Sequence, residues 1–156
     1  MKTVKSLPPP EECNCFAVRA AARHVSQSYD RFLAPTGLRT TQYSILARLK
    51  RKGPLTINTL AEDMVMDRTT LGRNILPLER DGLISIEPTA SDRRAKELRL
   101  TKAGEKRLQA ALKRWSQAQA RFETVFGAER AGDLRKLLRA VAASVFAPGK
   151  EPPVRR

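Results

Sequence analysis

The chain has 156 residues, which suits one domain or one compact unit with added dimerisation helices. Aromatic residues make up only 5%, which argues against a base-stacking platform for single strands. The net charge of +14 predicts an anionic partner, nucleic acid first, although the stretch from Arg48 through Arg114 carries only half of that excess.

Met1 to Asn14 reads as a loosely ordered arm with three prolines, Pro8 to Pro10. It lacks the apolar core of a signal peptide, and no later run nears the roughly 18 apolar residues of a membrane span. The expectation is a cytoplasmic protein with no membrane partner. Cys13 and Cys15 are then expected as reduced thiols.

Helical spacing of Val18, Ala21, Ala22, Val25, Tyr29, Phe32 and Leu33 predicts a first helix over about 15–33, stopped by Ala34-Pro35-Thr36-Gly37. A second follows from about Thr41, read as its N-cap, to Lys52, with Tyr43, Ile45, Leu46 and Leu49 inward. Gly53-Pro54 ends it. These two helices, 15–54, are assigned to dimerisation and core.

The stretch 55–101 reads as a winged helix-turn-helix. Leu55 to Ile57 predicts a short strand, and Thr56 caps a third helix over 57–63. Met64-Val65-Met66 is the turn. Asp67 caps a fourth helix over 68–81, and Gly82 ends it. Pro77 falls inside that helix, which predicts a bend near Arg73 to Pro77 or an offset last turn. Leu83 to Glu87 and Glu97 to Leu100 read as antiparallel strands joined by a projecting loop, too long for a two-residue hairpin.

Thr101 caps a fifth helix over 102–126, with Leu108, Leu112, Trp115, Phe122 and Val125 on its apolar face. A sixth, over 129–146, carries Leu134, Leu137, Leu138, Val141 and Val145. The part 102–146 is read as C-terminal dimerisation helices and 147–156 as a polar tail. The fold class is mainly α with a small β-wing. A small winged-helix core cannot cover every apolar face of helices one, five and six, so a homodimer explains them better than a monomeric bundle.

A helix that enters the major groove shows short polar and basic residues near its N-terminus. The fourth helix offers Arg68, Thr69, Thr70, Arg73 and Asn74, with Leu71, Ile75 and Leu78 anchoring its other side. Threonine contacts base edges or phosphates, and arginine grips guanine O6 and N7. The loop adds Arg93 and Arg94, suited to a minor groove, with Asp92 placed to orient one guanidinium through a bidentate pair. For each set the plain alternative is a solvated polar face.

This order of residues, LAEDMVMDRTTLGRNILPLERDGLISIEPTASDRRAKELRLTKAGE, resembles the MarR family of bacterial transcription regulators. Leu60-Ala61, Thr70, Leu78-Glu79, Gly82-Leu83-Ile84, Asp92-Arg93-Arg94, Leu100-Thr101 and Gly104 carry the resemblance, which extends over nearly all of 15–146. It implies a homodimer whose terminal helices interlock, each subunit offering a winged helix to half of a palindromic operator on double-stranded DNA. It implies a repressor released by a small organic ligand or by oxidation. Ile86 departs from the pattern, standing where a basic residue is common, and Pro77 is not a general landmark.

Cys13 and Cys15 open the first helix, where the dipole favours a thiolate. Cys15-Phe16, with Tyr29 fourteen positions on, resembles the organic-hydroperoxide sensors of the family, whereas Thr40 stands where that branch has its second tyrosine. Two alternatives stay open: small residues packed at a dimer seam, and a soft-metal role that would need ligands from another chain. For an organic ligand, His24, Tyr43 and Arg48 are the candidate polar contacts, each equally readable as surface, core or phosphate contact. One histidine, no Gly-rich phosphate loop and no spaced metal cluster point away from an enzyme and from a bound cofactor or metal. The remaining rivals are a sequence-nonspecific architectural DNA binder and a protein-interaction module.

Overall fold

The computed structural model describes residues 9–144. The readings for residues 1–8, for Val145 and Phe146, and for the 147–156 tail lie outside the described residues. Among the described residues there are six α-helices and one three-stranded sheet: α1 (Asn14–Leu33), α2 (Thr40–Lys52), β1 (Leu55–Thr56), α3 (Ile57–Asp63), α4 (Arg68–Arg80), β2 (Ile84–Pro88), β3 (Lys96–Leu100), α5 (Lys102–Phe126) and α6 (Ala128–Ala143). No helix among them is long and apolar enough to cross a membrane.

Capping side chains set most helix starts. Thr56 accepts from Thr59 N–H at α3, and Thr101 accepts from Gly104 N–H at α5. The expected Thr41 cap of α2 is a correction: the helix begins at Thr40, whose N–H and hydroxyl both donate to Asp30 Oδ1 on α1, at 2.7 and 2.8 Å. Gln42 Oε1 also accepts from Arg39 N–H. A carboxylate ten residues back outcompetes a local hydroxyl there. A 3-10 turn over Pro10–Glu12 occupies part of the expected arm.

The chain divides into two compact units, Met1–Gln119 and Ala120–Arg156. The first is built on one core of Leu33, Leu38, Tyr43, Ile45, Leu46, Leu49, Leu60, Leu71, Ile75, Leu78, Leu83, Ile84, Leu98 and Ala111. The sheet order is β1-β3-β2, all antiparallel, with Leu55 opposite Leu98 and Ile86 opposite Leu98 on the other side. Ile86 is thereby turned onto the core and half-buried. That position supports the sheet, while Arg99 on the neighbouring strand is exposed and paired with Glu87 and Glu97.

Thr101 ties the wing to α5. Its N–H donates to Leu83 O and its hydroxyl to Gly82 O. Gly104 sits so close to this junction that a Cβ there would lie 2.0 Å from Leu83 O. Pro77 stands inside α4 without ending it. Val65 takes a positive φ of 51° between α3 and α4, an uncommon backbone for a β-branched residue.

The expected apolar faces are only partly covered. On α1 the buried residues are Tyr29 and Leu33, while Phe16 and Val18 are exposed. On α5 Gly104, Ala111 and Ala118 are the buried positions, and Leu112 is exposed. In the second unit Val125, Leu137, Leu138 and Val141 are exposed, with Val125 at 68% and Leu137 at 66%. On α5 the fully buried positions are all small, and several large apolar side chains of α1, α5 and α6 stay exposed. Phe122 packs on Phe126, and the Arg130 guanidinium lies over the Phe126 ring at 4.4 Å.

Candidate nucleic-acid interface

Helix α4 is anchored by buried Leu71, Ile75 and Leu78, which fixes its opposite side toward solvent. Arg68, Thr69, Thr70 and Arg73 are exposed there and Asn74 is half-buried. Asp67 caps the helix, accepting from Thr70 N–H at 2.8 Å and from the Thr70 hydroxyl at 2.6 Å. Those hydrogen bonds, the side-chain one first, hold the Asp67 carboxyl below its ordinary value. Two predicted readers are therefore engaged within the helix. The Thr70 hydroxyl proton points to Asp67, and Asn74 Nδ2 donates to Thr70 O at 2.9 Å. Thr70 Oγ1 and Asn74 Oδ1 retain acceptor capacity. Arg68, Thr69 and Arg73 are the outward groups.

The wing loop is closed from within. Thr89 Oγ1 donates to Asp92 O and accepts from Asp92 N–H, and Asp92 Oδ1 accepts from Arg94 N–H at 2.9 Å. This corrects the expected pairing of Asp92 with an arginine side chain. A carboxylate that accepts from a backbone N–H two residues on makes an Asx turn, so Oδ1 of Asp92 serves loop shape. Arg93 and Arg94 are exposed at the end of that stapled loop.

The sequence singles out a second basic cluster only at Arg48, as a ligand or phosphate contact. The run Arg48-Leu49-Lys50-Arg51-Lys52 closes α2, where basic residues suit the helix C-terminus. Asp63, at the end of α3, binds Lys52 and also Arg48 Nε at 3.0 Å. The Lys52 hydrogen bond, with Arg48 beside it, lowers the Asp63 carboxyl from its ordinary value. The charge run itself was the available signal. Its partner on another helix was not.

The sensing candidates do not come together. Cys13 is the N-cap of α1, its Sγ accepting from Phe16 N–H at 3.5 Å, and Cys15 is an exposed free thiol. Tyr29 is on the same unbroken helix, fourteen residues and so roughly 21 Å further along. It cannot reach Cys15 of its own chain, and its hydroxyl donates to Gln119 Oε1 at 2.7 Å. His24 is exposed. Arg48 is held by Asp63 and by Ser44 O. Tyr43 is buried and stacked on Trp115, ring centroids 5.8 Å apart, and burial raises its hydroxyl pKa. The cleft of about 610 Å³ at the end of α1 is lined instead by Gln27, Asp30, Arg31, Gly37, Leu38 and Arg39, with Ala34.

Comparison with known proteins fits this geometry. Residues 38–96 match the MarR family. The transcriptional regulator MosR of M. tuberculosis, solved in complex with DNA, is 38% identical, with 85% of this chain and 98% of that chain covered and a TM-score of 0.73. A probable transcriptional regulator from Pseudomonas aeruginosa is 25% identical over 85% of this chain and 99% of its own, with a TM-score of 0.76. The transcriptional repressor CouR, bound to a 23-mer DNA duplex, is 25% identical over 85% and 94%, also at 0.76. No curated protein matches the chain. With its cap-fixed helix α4 and arginine-tipped wing, the chain belongs to the MarR family of DNA-binding transcriptional regulators.

Proposed function

We propose that the chain is a homodimeric repressor of a two-fold symmetric operator. Each subunit lays α4 in a major groove and the Arg93-Arg94 wing in the adjacent minor groove. The observation that carries this is the joint exposure of Arg68, Thr69 and Arg73 on a buried-side-anchored α4 and of Arg93 and Arg94 on a stapled loop. The likeness to DNA-bound MosR supports it. A second copy covers the exposed apolar side chains of α1, α5 and α6 and supplies the second half-site.

The experiment compares binding to the chain's own upstream region with binding to random duplex at physiological salt. Specific binding, a symmetric footprint and half-site centres about 34–36 Å or a multiple apart are expected. Equal affinity for both duplexes would leave an architectural role, and no binding at all would leave an interaction module. Arg94→Ala is expected to weaken binding more than Arg93→Ala and to reduce the salt dependence by about one unit of slope. Unchanged affinity across a salt titration of Arg94→Ala would remove the minor-groove role.

Release is by thiol oxidation or by a small organic ligand. In the first route the Cys15 thiolate attacks a hydroperoxide oxygen, giving a sulfenate and the alcohol. Hydroperoxide then frees DNA from the wild type and not from Cys15→Ser. Equal release from both ends the thiol route. No release from either leaves the ligand route, for which the cleft beside Asp30, Arg31 and Arg39 is the candidate.

A further inference from the structure

Two residues of α4 are unexplained by the fold. Gly72 stands in the helix interior, where glycine is among the least favourable residues. Its φ is not positive, so the backbone does not require it. A Cβ built on it meets nothing within 4 Å. Gly104 makes the contrast, since a Cβ there would strike the Leu83 carbonyl. Alanine would fit at 72 and favour the helix. Leu76, one turn on, is 64% exposed on a helix whose apolar side is already complete with Leu71, Ile75 and Leu78.

The two residues share a row. Residues four apart are neighbours on a helix surface, so Arg68, Gly72 and Leu76 lie along one line. Thr69, three before Gly72, flanks the same spot. The row therefore has a charged end, a notch at the backbone and an exposed apolar side chain beyond it. Among the described residues nothing fills the notch. In the major groove the apolar group on the base edges is the C5-methyl of thymine.

We propose that Gly72 and Leu76 determine sequence specificity: the notch admits a thymine methyl close to the α4 backbone, and Leu76 packs against its side. This rests on the reading of α4 as the groove-entering helix. It adds a direct thymine preference at one position of each half-site. It also explains a glycine that weakens the helix in the free protein.

The test begins with a duplex selected by the wild-type chain from a random-sequence library. Each thymine of the half-site is then replaced by deoxyuridine, which removes only the methyl. One position per half-site is expected to lose about fourfold in affinity, the effect of one buried methyl group. Leu76→Ala should bind thymine and deoxyuridine duplexes alike at that position, with its salt slope unchanged. Gly72→Ala should melt at a higher temperature than the wild type and yet bind the selected duplex at least tenfold more weakly. Unchanged affinity of Gly72→Ala, a lowered melting temperature, or indifference to every thymine methyl would each overturn the inference while leaving α4 in the groove. If the wild type selects no sequence, the regulator reading fails first and this one with it.

Discussion

Asp67 carries two tasks in four atoms. It caps α4 through Thr70 N–H, and it orients the Thr70 hydroxyl. Its carboxyl is held below the ordinary value of 3.8, as is that of Asp63 beside Lys52 and Arg48. A carboxyl with a depressed folded pKa contributes stability that is fully present above its unfolded pKa. That contribution is lost as pH falls through the lower folded value. The wild type should therefore lose denaturant resistance as pH is taken from 5 toward 2. Asp67→Asn keeps a good capping residue without the titration, so its stability should fall less over the same window. Parallel urea midpoints for the two proteins would count against the assignment. Asp67 was legible in the sequence because a cap acts on a residue three places away. The engagement of Asn74 and Asp92 with backbone was not, because the same side chains serve equally as base readers or loop staples until the local conformation is known.

At the scale of elements, the joint between wing and α5 is the tightest place described. Leu83 O accepts from Thr101 N–H, and Gly104 packs against that same carbonyl. Gly104→Ala would drive a methyl group into backbone. The expected loss is about 2–3 kcal/mol, the range of overpacked positions that cannot relax cheaply. Chemical denaturation measures it, and a loss below about 0.5 kcal/mol would show that the joint yields. Gly104 stood out in the sequence as part of a familiar order of residues. The reason for it is a close approach across twenty-one residues, which no local pattern contains. The same divide separates the caps of α3, α4 and α5, predicted correctly, from that of α2, where Asp30 of another helix takes over from Thr41.

At the scale of the whole molecule, periodicity located the apolar faces of α1, α5 and α6 but could not say which atoms cover them. In the single chain the covered positions are mostly alanine and glycine, and Phe16, Val18, Leu112, Leu137, Leu138 and Val141 remain exposed. A chain of net charge +14 resists self-association unless such apolar surface opposes the repulsion. Salt therefore acts in opposite directions on the two assemblies proposed here. Screening eases the approach of two basic chains and weakens their grip on phosphate. The Tyr43–Trp115 stack adds an optical consequence. Trp115 is the chain's one tryptophan, held by α5 against a buried tyrosine of α2. Its emission is a native, label-free gauge of how α5 rests on α2. An inducer that shifts that contact changes the spectrum before any DNA is added, so effectors can be sought by fluorescence with the operator still unidentified.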